Sequence, residues 1–126
     1  MSYRNDSVSL LLFAAVLGSV TAPAAAHHSF AMFERGQVQS IEGVVRKFAW
    51  TNPHVLIDVA VPDKQGGVAQ YRIESASTNI LMRQGWKANA IKAGDRITLV
   101  FNPLKSGEHG GLLVEVKLAN GAVLKG

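Results

Sequence analysis

Residues 54–61 read HVLIDVAV, a stretch in which aliphatic side chains recur at every second position. One face of this stretch would carry only branched aliphatic residues: Val55, Ile57, Val59 and Val61. Such alternation is typical of a β-strand that turns one face toward a hydrophobic core. The sequence therefore predicts a strand here, and it is the second of the chain because a strand-like segment precedes it.

Similar segments lie on both sides of this stretch. QVQSIEGVVRKFAW precedes it at residues 37–50, and Gly43 in its middle would let the strand coil or bulge. VAQYRIES follows at residues 68–75, RITLVF at 96–101 and LLVEVKL at 112–118. In the last of these, alternation predicts an inward face made of Leu112, Val114, Val116 and Leu118. Asn120 and Gly121 then predict a hairpin into a last short strand.

Between the third and fourth strands, the hydrophobic period changes to that of a helix. Residues 79–84, NILMRQ, would form its body, and the hydroxyl of Ser77 or Thr78 would cap its N-terminus. Gly85 would end the helix in a left-handed conformation, and Trp86 would fold back over the helix end.

This order of elements predicts a mainly β protein. Three strands, one short helix and two or three further strands are typical of a five- to six-stranded OB-like Greek-key barrel with its helix between strands 3 and 4. A different small β-barrel or an α+β roll are the alternatives. Residues 27–126 would form this single domain, since a chain of 126 residues has no room for a second core.

The first 26 residues are predicted to be a cleavable signal peptide. Residues 8–20 are apolar and uncharged, Arg4 precedes them, and small residues at Ala24 and Ala26 suit cleavage before His27; cleavage after Ala24 is the alternative. We therefore expect an exported, periplasmic protein with no transmembrane anchor after cleavage. A net charge of +4 and the absence of Cys argue against a nucleic-acid partner, a disulfide scaffold and a thiolate metal site.

Several short motifs resemble those of a known family. HHSF at the predicted start of the mature chain, WTNPH at residues 50–54, the pair Gly85-Trp86 and the corner Ala93-Gly94-Asp95 are similar to the small exported bacterial proteins grouped as domain of unknown function 6152. The resemblance covers essentially the whole predicted mature chain, and WTNPH is its most specific part. It implies a periplasmic protein with an OB-like fold and no established activity.

Four histidines are the candidate metal ligands: His27, His28, His54 and His109. Imidazole without any competing thiolate favours Cu(II) or Zn in an oxidising compartment. In an OB-like barrel, His54 and His109 would lie in the two loops that flank the usual ligand face. A free amino terminus next to His27 would chelate a metal ion on its own, which is a property that any exported chain with an early histidine shares.

Three further residues are candidate ligand contacts. Trp50 and Asn52 flank the predicted first turn, and Lys105 lies in the loop between strands 4 and 5. No nucleophile elbow, zinc-protease motif or phosphate loop is present in the sequence. The sequence therefore favours a non-enzymatic binding or accessory module that binds a divalent metal ion. An adaptor that docks another periplasmic protein or an envelope glycan through the barrel face is the alternative, and a small hydrolase or oxidase with an unrecognised site is a third hypothesis.

Overall fold

The computed structural model describes residues 30–126. The predicted signal peptide, His27 and His28 lie outside the described residues. The elements in chain order are β1 (Gln39–Ala49), β2 (Leu56–Pro62), β3 (Val68–Glu74), α1 (Thr78–Arg83), β4 (Arg96–Pro103), β5 (Gly110–Lys117) and β6 (Val123–Lys125). Within residues 30–126, no helix is long and apolar enough to cross a membrane.

Five of the strands close into a barrel. The hydrogen-bonded order is β3-β2-β1-β4-β5, and β5 pairs in parallel with β3 through Arg72 and Gly110, Ile73 and Gly111, and Glu74 and Leu112. β6 pairs with the other edge of β5. This confirms the prediction of a mainly β, OB-like barrel of five to six strands with one short helix between strands 3 and 4.

β1 belongs to both halves of the barrel, and its register with β2 is irregular between Val45 and Lys47 rather than at Gly43. Val44 pairs with Ala60 of β2 and with Arg96 of β4, so β1 passes from one partner strand to the other at this point. A Cβ atom at position 43 would lie only 2.7 Å from the carbonyl oxygen of Ala60. The close approach of β1 and β2 therefore requires a glycine here.

The core consists of aliphatic side chains with two aromatic ones, Trp86 and Phe101. Val55, Ile57 and Val59 of the second predicted strand are fully buried, and they pack with residues from every other strand of the barrel. The fully buried members from the other elements include Val45, Ile73, Leu81, Leu99, Phe101 and Val116. The alternation at residues 54–61 thus predicted one wall of the core.

α1 ends as predicted but begins differently. Gly85 has φ +94°, its N–H donates to the carbonyl of Met82, and the N–H of Trp86 donates to the carbonyl of Leu81. This is the Schellman arrangement, and Trp86 is buried. At the N-terminus, Ser77 occupies the cap position but its hydroxyl makes no capping hydrogen bond. The predicted hydroxyl cap is therefore wrong.

The cap comes instead from the loop between β1 and β2. Asn52 Oδ1 accepts hydrogen bonds from the backbone N–H of Thr78 at 3.1 Å and from its hydroxyl at 2.9 Å. These residues are 26 positions apart in the chain. The first N–H of the helix is therefore satisfied by a side chain from a distant loop, which also ties that loop to the helix.

A bulge divides β5 into two halves with opposite alternation. Val100 of β4 pairs with Glu115 and Phe101 pairs with Leu113, so Val114 has no partner residue in β4. Leu113 and Val116 are consequently the buried core residues of this strand. The expected inward position of Leu112 and Val114 is wrong, because the extra residue shifts both side chains out of the core.

Candidate functional site

A cavity of about 450 Å³ lies between the β1–β2 loop, the segment that precedes α1, and the outward face of β5. Its apolar walls are formed by Phe30, Pro53, Ala76, Ile80, Leu112, Leu113 and Val114. Its polar lining side chains are Arg35, His54, Ser75, Ser77 and Asn102. A mainly apolar cavity with a few convergent polar groups is the usual form of a small-ligand site.

The bulge in β5 supplies part of the apolar wall. Leu112 and Val114 are half-buried and line the cavity, whereas Leu113 and Val116 belong to the core. A regular strand would have turned Leu112 and Val114 toward the core. The irregularity of β5 therefore helps to create the cavity.

Ser75 is the most unusual polar residue of the cavity. Its side chain is 1% exposed, and its Oγ is the one buried side-chain oxygen or nitrogen within residues 30–126 that has no hydrogen-bond partner. The backbone around it is fixed, since its N–H donates to the carbonyl of Val55 at 2.8 Å. An unpaired buried hydroxyl costs about 1–3 kcal/mol, so a fold seldom keeps one without a reason.

His54 borders the same cavity with one ring nitrogen already engaged. Its Nδ1 lies 3.2 Å from the carbonyl oxygen of Ser75 and 3.3 Å from Glu74 Oε1. Both of these partners are acceptors, which assigns the proton of the neutral ring to Nδ1. The lone pair of Nε2 is then free to accept a hydrogen bond or to bind a metal ion.

Arg35 and Phe30 lie at the rim. Asn102 is buried on β4, and its Nδ2 donates to the carbonyl of Gln37 at 2.7 Å and, more weakly, to that of Arg35 at 3.5 Å. The Arg35 guanidinium carbon lies 6.0 Å from the centre of the Phe30 ring. The segment that carries both rim side chains is thus tied to the barrel through β4.

Asn52 is one of the predicted ligand contacts. In the structure, its side-chain oxygen accepts the two hydrogen bonds from Thr78. Its neighbour Pro53 lines the cavity, and the peptide bond between Asn52 and Pro53 is cis. The geometry therefore gives Asn52 the role of positioning the loop that carries Pro53 and His54.

Trp50, the other predicted contact in this loop, is half-buried and packs against the core. Its ring centre lies 5.9 Å from that of Phe48, which in turn stacks on Trp86 at 6.2 Å. The indole of Trp86 donates to the carbonyl of Lys125 at 2.6 Å. These aromatic residues form a packed cluster against the core.

His109 lies in a different place from His54. Its ring stacks on that of Tyr71, with centres 4.6 Å apart and planes 12° from parallel. His109 and the predicted contact Lys105 together line a polar cavity of about 300 Å³, with Glu34 and Glu108 in the same lining. The two loop histidines thus border separate cavities.

One ion pair lies close to the Tyr71 and His109 stack. Arg72 donates from Nε and Nη2 to the two carboxylate oxygens of Asp58, at 2.7 and 2.9 Å. These hydrogen bonds, with the charge of the guanidinium, lower the pKa of the Asp58 carboxyl despite its partial burial. The pair joins β2 to β3 on the outside of the barrel.

Metal-ligating side chains are not grouped within the part of the chain that the structure describes. Within residues 30–126, no cluster of three or more His, Asp or Glu side chains is arranged to hold a metal ion.

The sequence gives no sign that the cavity is lined by Ser75, Arg35, Phe30 or Asn102. Nothing in the linear sequence marks the Ser75 hydroxyl as buried and unpaired. The single available signal was its position directly after a strand whose alternation ends at Glu74.

Comparison with known families and proteins gives two results. The model of a family described as a family of unknown function, DUF6152, matches residues 15–115, which is most of the chain. No curated protein matches the sequence.

Proposed function

Since the chain belongs to DUF6152, a family of unknown function, we propose its role from its own geometry: a binding or accessory module that holds a small ligand in the cavity between the β1–β2 loop, α1 and β5. The module would act in the periplasm after removal of the signal peptide, and it would be non-catalytic. Asn52 ties the β1–β2 loop to α1, and this contact holds two sides of the cavity in place.

The observation that carries this proposal is the cavity of about 450 Å³ with mostly apolar walls. The imidazole of His54, whose Nε2 can accept a hydrogen bond, lies in the same lining. The combination favours a ligand with an apolar body and at least one hydrogen-bonding head group.

Two matched variants on α1 test the proposal. Ile80 is 47% exposed and lines the cavity, whereas Met82 is 53% exposed on the same helix and does not line it. We expect Ile80→Glu to weaken the binding of octanamide, an apolar chain with a neutral polar head, by about tenfold, because it replaces an apolar wall side chain by a charged one that the bound alkyl chain would partly desolvate. Met82→Glu should bind octanamide like the unmodified protein.

The measurement is isothermal titration calorimetry on protein purified after expression of the full chain, with circular dichroism as a check on folding. Equal affinity of both variants would place octanamide binding outside this cavity. Absence of any octanamide or octanoate binding by the unmodified protein would refute the proposal itself.

Metal binding through histidines is a second candidate, favoured by the engaged Nδ1 and free Nε2 of His54. Phe30 lines the same cavity, and His28 precedes it by only two residues, a length of chain that spans at most about 7 Å. His27, His28 and His54 together would offer imidazole nitrogens to Cu(II) or Zn.

A copper titration tests this second candidate. We expect His27→Ala and His54→Gln each to weaken Cu(II) binding, while His109→Gln leaves it unchanged, because His109 borders a separate cavity. Binding should also weaken below about pH 6, where imidazole takes up protons in competition with the metal. Equal copper affinity in all three variants would refute the histidine site, and an adaptor role, docking a protein or an envelope glycan through the barrel face, would then take its place.

A further inference from the structure

The stack of Tyr71 and His109 lies between two polar cavities. We propose that the stack and these two cavities form a second binding site, for a neutral oligosaccharide whose C–H faces lie against the stack and whose hydroxyl groups reach the cavities. This site is separate from the cavity of the proposed function, so the inference does not rest on that function.

The stack forms a wall common to both cavities. Tyr71 and His109 line the polar cavity of about 300 Å³ that also contains Lys105, and they line a second cavity of about 350 Å³ beside the pair of Asp58 and Arg72. A ligand that occupies both cavities must pass along the two rings. An extended chain of sugar rings has the shape for this.

The charges of the two linings balance. Apart from His109, three cationic and three anionic side chains among the described residues line the cavities: Lys105, Arg46 and Arg72, and Glu34, Asp58 and Glu108. Such a lining favours neither sign of a charged ligand. Gln37, Gln39 and Gln70 add amide groups, which both donate and accept hydrogen bonds. A hydroxyl group also donates and accepts, so a neutral ligand with many hydroxyl groups fits this lining.

The two rings supply the apolar part of the site. Tyr71 is half-buried and packs against buried Phe101, with ring centres 6.1 Å apart. His109 is exposed, and its ring lies nearly parallel to that of Tyr71 at 4.6 Å. The barrel thus holds a flat aromatic surface in a position where C–H groups of a ligand can pack on it. A β-linked glucose unit, whose substituents are all equatorial, presents C–H groups on both faces of its ring.

The groups of this site are held in place within the protein. The backbone N–H of Arg72 donates to the carbonyl of His109 at 3.3 Å, and the Arg72 guanidinium is held by its two hydrogen bonds to Asp58. The N–H of Leu104 donates to the carbonyl of Gly110 at 3.2 Å, which closes the loop that carries His109. Groups that are already ordered lose little entropy on binding, so weak contacts with a sugar can produce measurable affinity.

Two β-1,4-linked tetramers with the same backbone test the inference: the tetramer of glucose, which is neutral, and the tetramer of glucuronate, which is anionic. In two-dimensional NMR titrations of the protein expressed from the full chain, we expect the glucose tetramer to shift the backbone amide signals of residues 70–72 and 105–110. Its affinity should change by less than about twofold between about 0.05 M and about 0.5 M salt, because no net charge is involved. The glucuronate tetramer should bind no more tightly than the glucose tetramer.

Variants of His109 test the role of the stack. We expect His109→Ala to weaken binding of the glucose tetramer by about tenfold, because the exposed ring is lost, and His109→Phe to restore most of the affinity, because a ring is present again. Gln84→Ala is the control, since Gln84 is exposed and lines neither cavity. It should bind the glucose tetramer like the unmodified protein, and circular dichroism checks that each variant is folded.

Several outcomes would overturn the inference. Absence of binding of the glucose tetramer, or unchanged affinity in His109→Ala, would show that the stack is not a sugar site. Equal weakening in His109→Ala and His109→Phe would mean that the imidazole nitrogens and not the ring face hold the ligand. Tighter binding of the glucuronate tetramer would contradict the assignment of a neutral ligand. Octanamide binding in the separate cavity stays measurable in every His109 variant, so failure of this inference is distinguishable from failure of the proposed function.

Discussion

Replacing Ser75 by alanine should make the protein more stable. The hydroxyl is buried without a hydrogen-bond partner, and leaving such a group unpaired costs about 1–3 kcal/mol. Alanine removes only the oxygen and keeps the Cβ packing, so the void it leaves is small and offsets part of the gain. We therefore expect the free energy of unfolding to rise by about 1 kcal/mol. For a domain of about 100 residues this corresponds to an increase in Tm of about 4–8 °C.

Urea unfolding followed by tryptophan fluorescence measures this change, because Trp86 is buried and would become exposed on unfolding. Ser77→Ala is the matched control: Ser77 lies in the same segment and lines the same cavity, but it is half-buried and its hydroxyl makes no capping bond. Its stability should stay within about 0.5 kcal/mol of the unmodified protein.

The sign of the change in the free energy of unfolding of Ser75→Ala tests whether the Ser75 hydroxyl is unpaired in the folded protein. A loss of 1 kcal/mol or more on removing the hydroxyl would mean that Ser75 is satisfied in the folded protein. The reasoning that leaves its hydroxyl without a hydrogen-bond partner would then be wrong.

Three other predictions concern the loop, the barrel face and export. Asn52→Ala should lower the free energy of unfolding by about 1–2 kcal/mol in urea titrations, because it removes the helix cap, whereas Asn52→Asp keeps the acceptor and should lose less. Since the pKa of Asp58 is lower in the folded than in the unfolded protein, its pairing with Arg72 stabilises the fold above about pH 4 and this contribution is lost on further acidification; Asp58→Asn should therefore show a shallower loss of stability in acid unfolding curves. The intact mass of the exported protein should correspond to cleavage between Ala26 and His27, and a mass that retains residues 1–20 would contradict export by a cleavable signal.

The barrel was predictable because its strands alternate with a period of two residues. At residues 54–61 the pattern correctly predicts the buried Val55, Ile57 and Val59, whereas Val61 is only half-buried and Ala60 is buried as well. Gly85 ends α1 with the positive φ expected of a helix-terminating glycine. Both signals are local: they depend on residues within a few positions of one another.

The parts that could not be predicted depend on contacts between distant segments. Asn52 caps a helix 26 residues further along the chain, and no pattern near Ser77 shows that its own hydroxyl is not used. The bulge at Val114 is equally hidden, because the strand LLVEVKL alternates regularly in the sequence and only the register with β4 shows the extra residue. The cavity follows from both features, and for this reason the sequence analysis proposed its histidine but none of the other polar residues that line it.

The bulge in β5 also affects how the family can diversify. One strand supplies the barrel core through Leu113 and Val116 and a cavity wall through Leu112 and Val114. Because Leu112 and Val114 lie outside the core, substitutions at these two positions can reshape the wall without removing a core side chain. Related chains could thus acquire different ligands by changing two positions, while a deletion of one residue at the bulge would restore regular alternation and erase the wall in a single step.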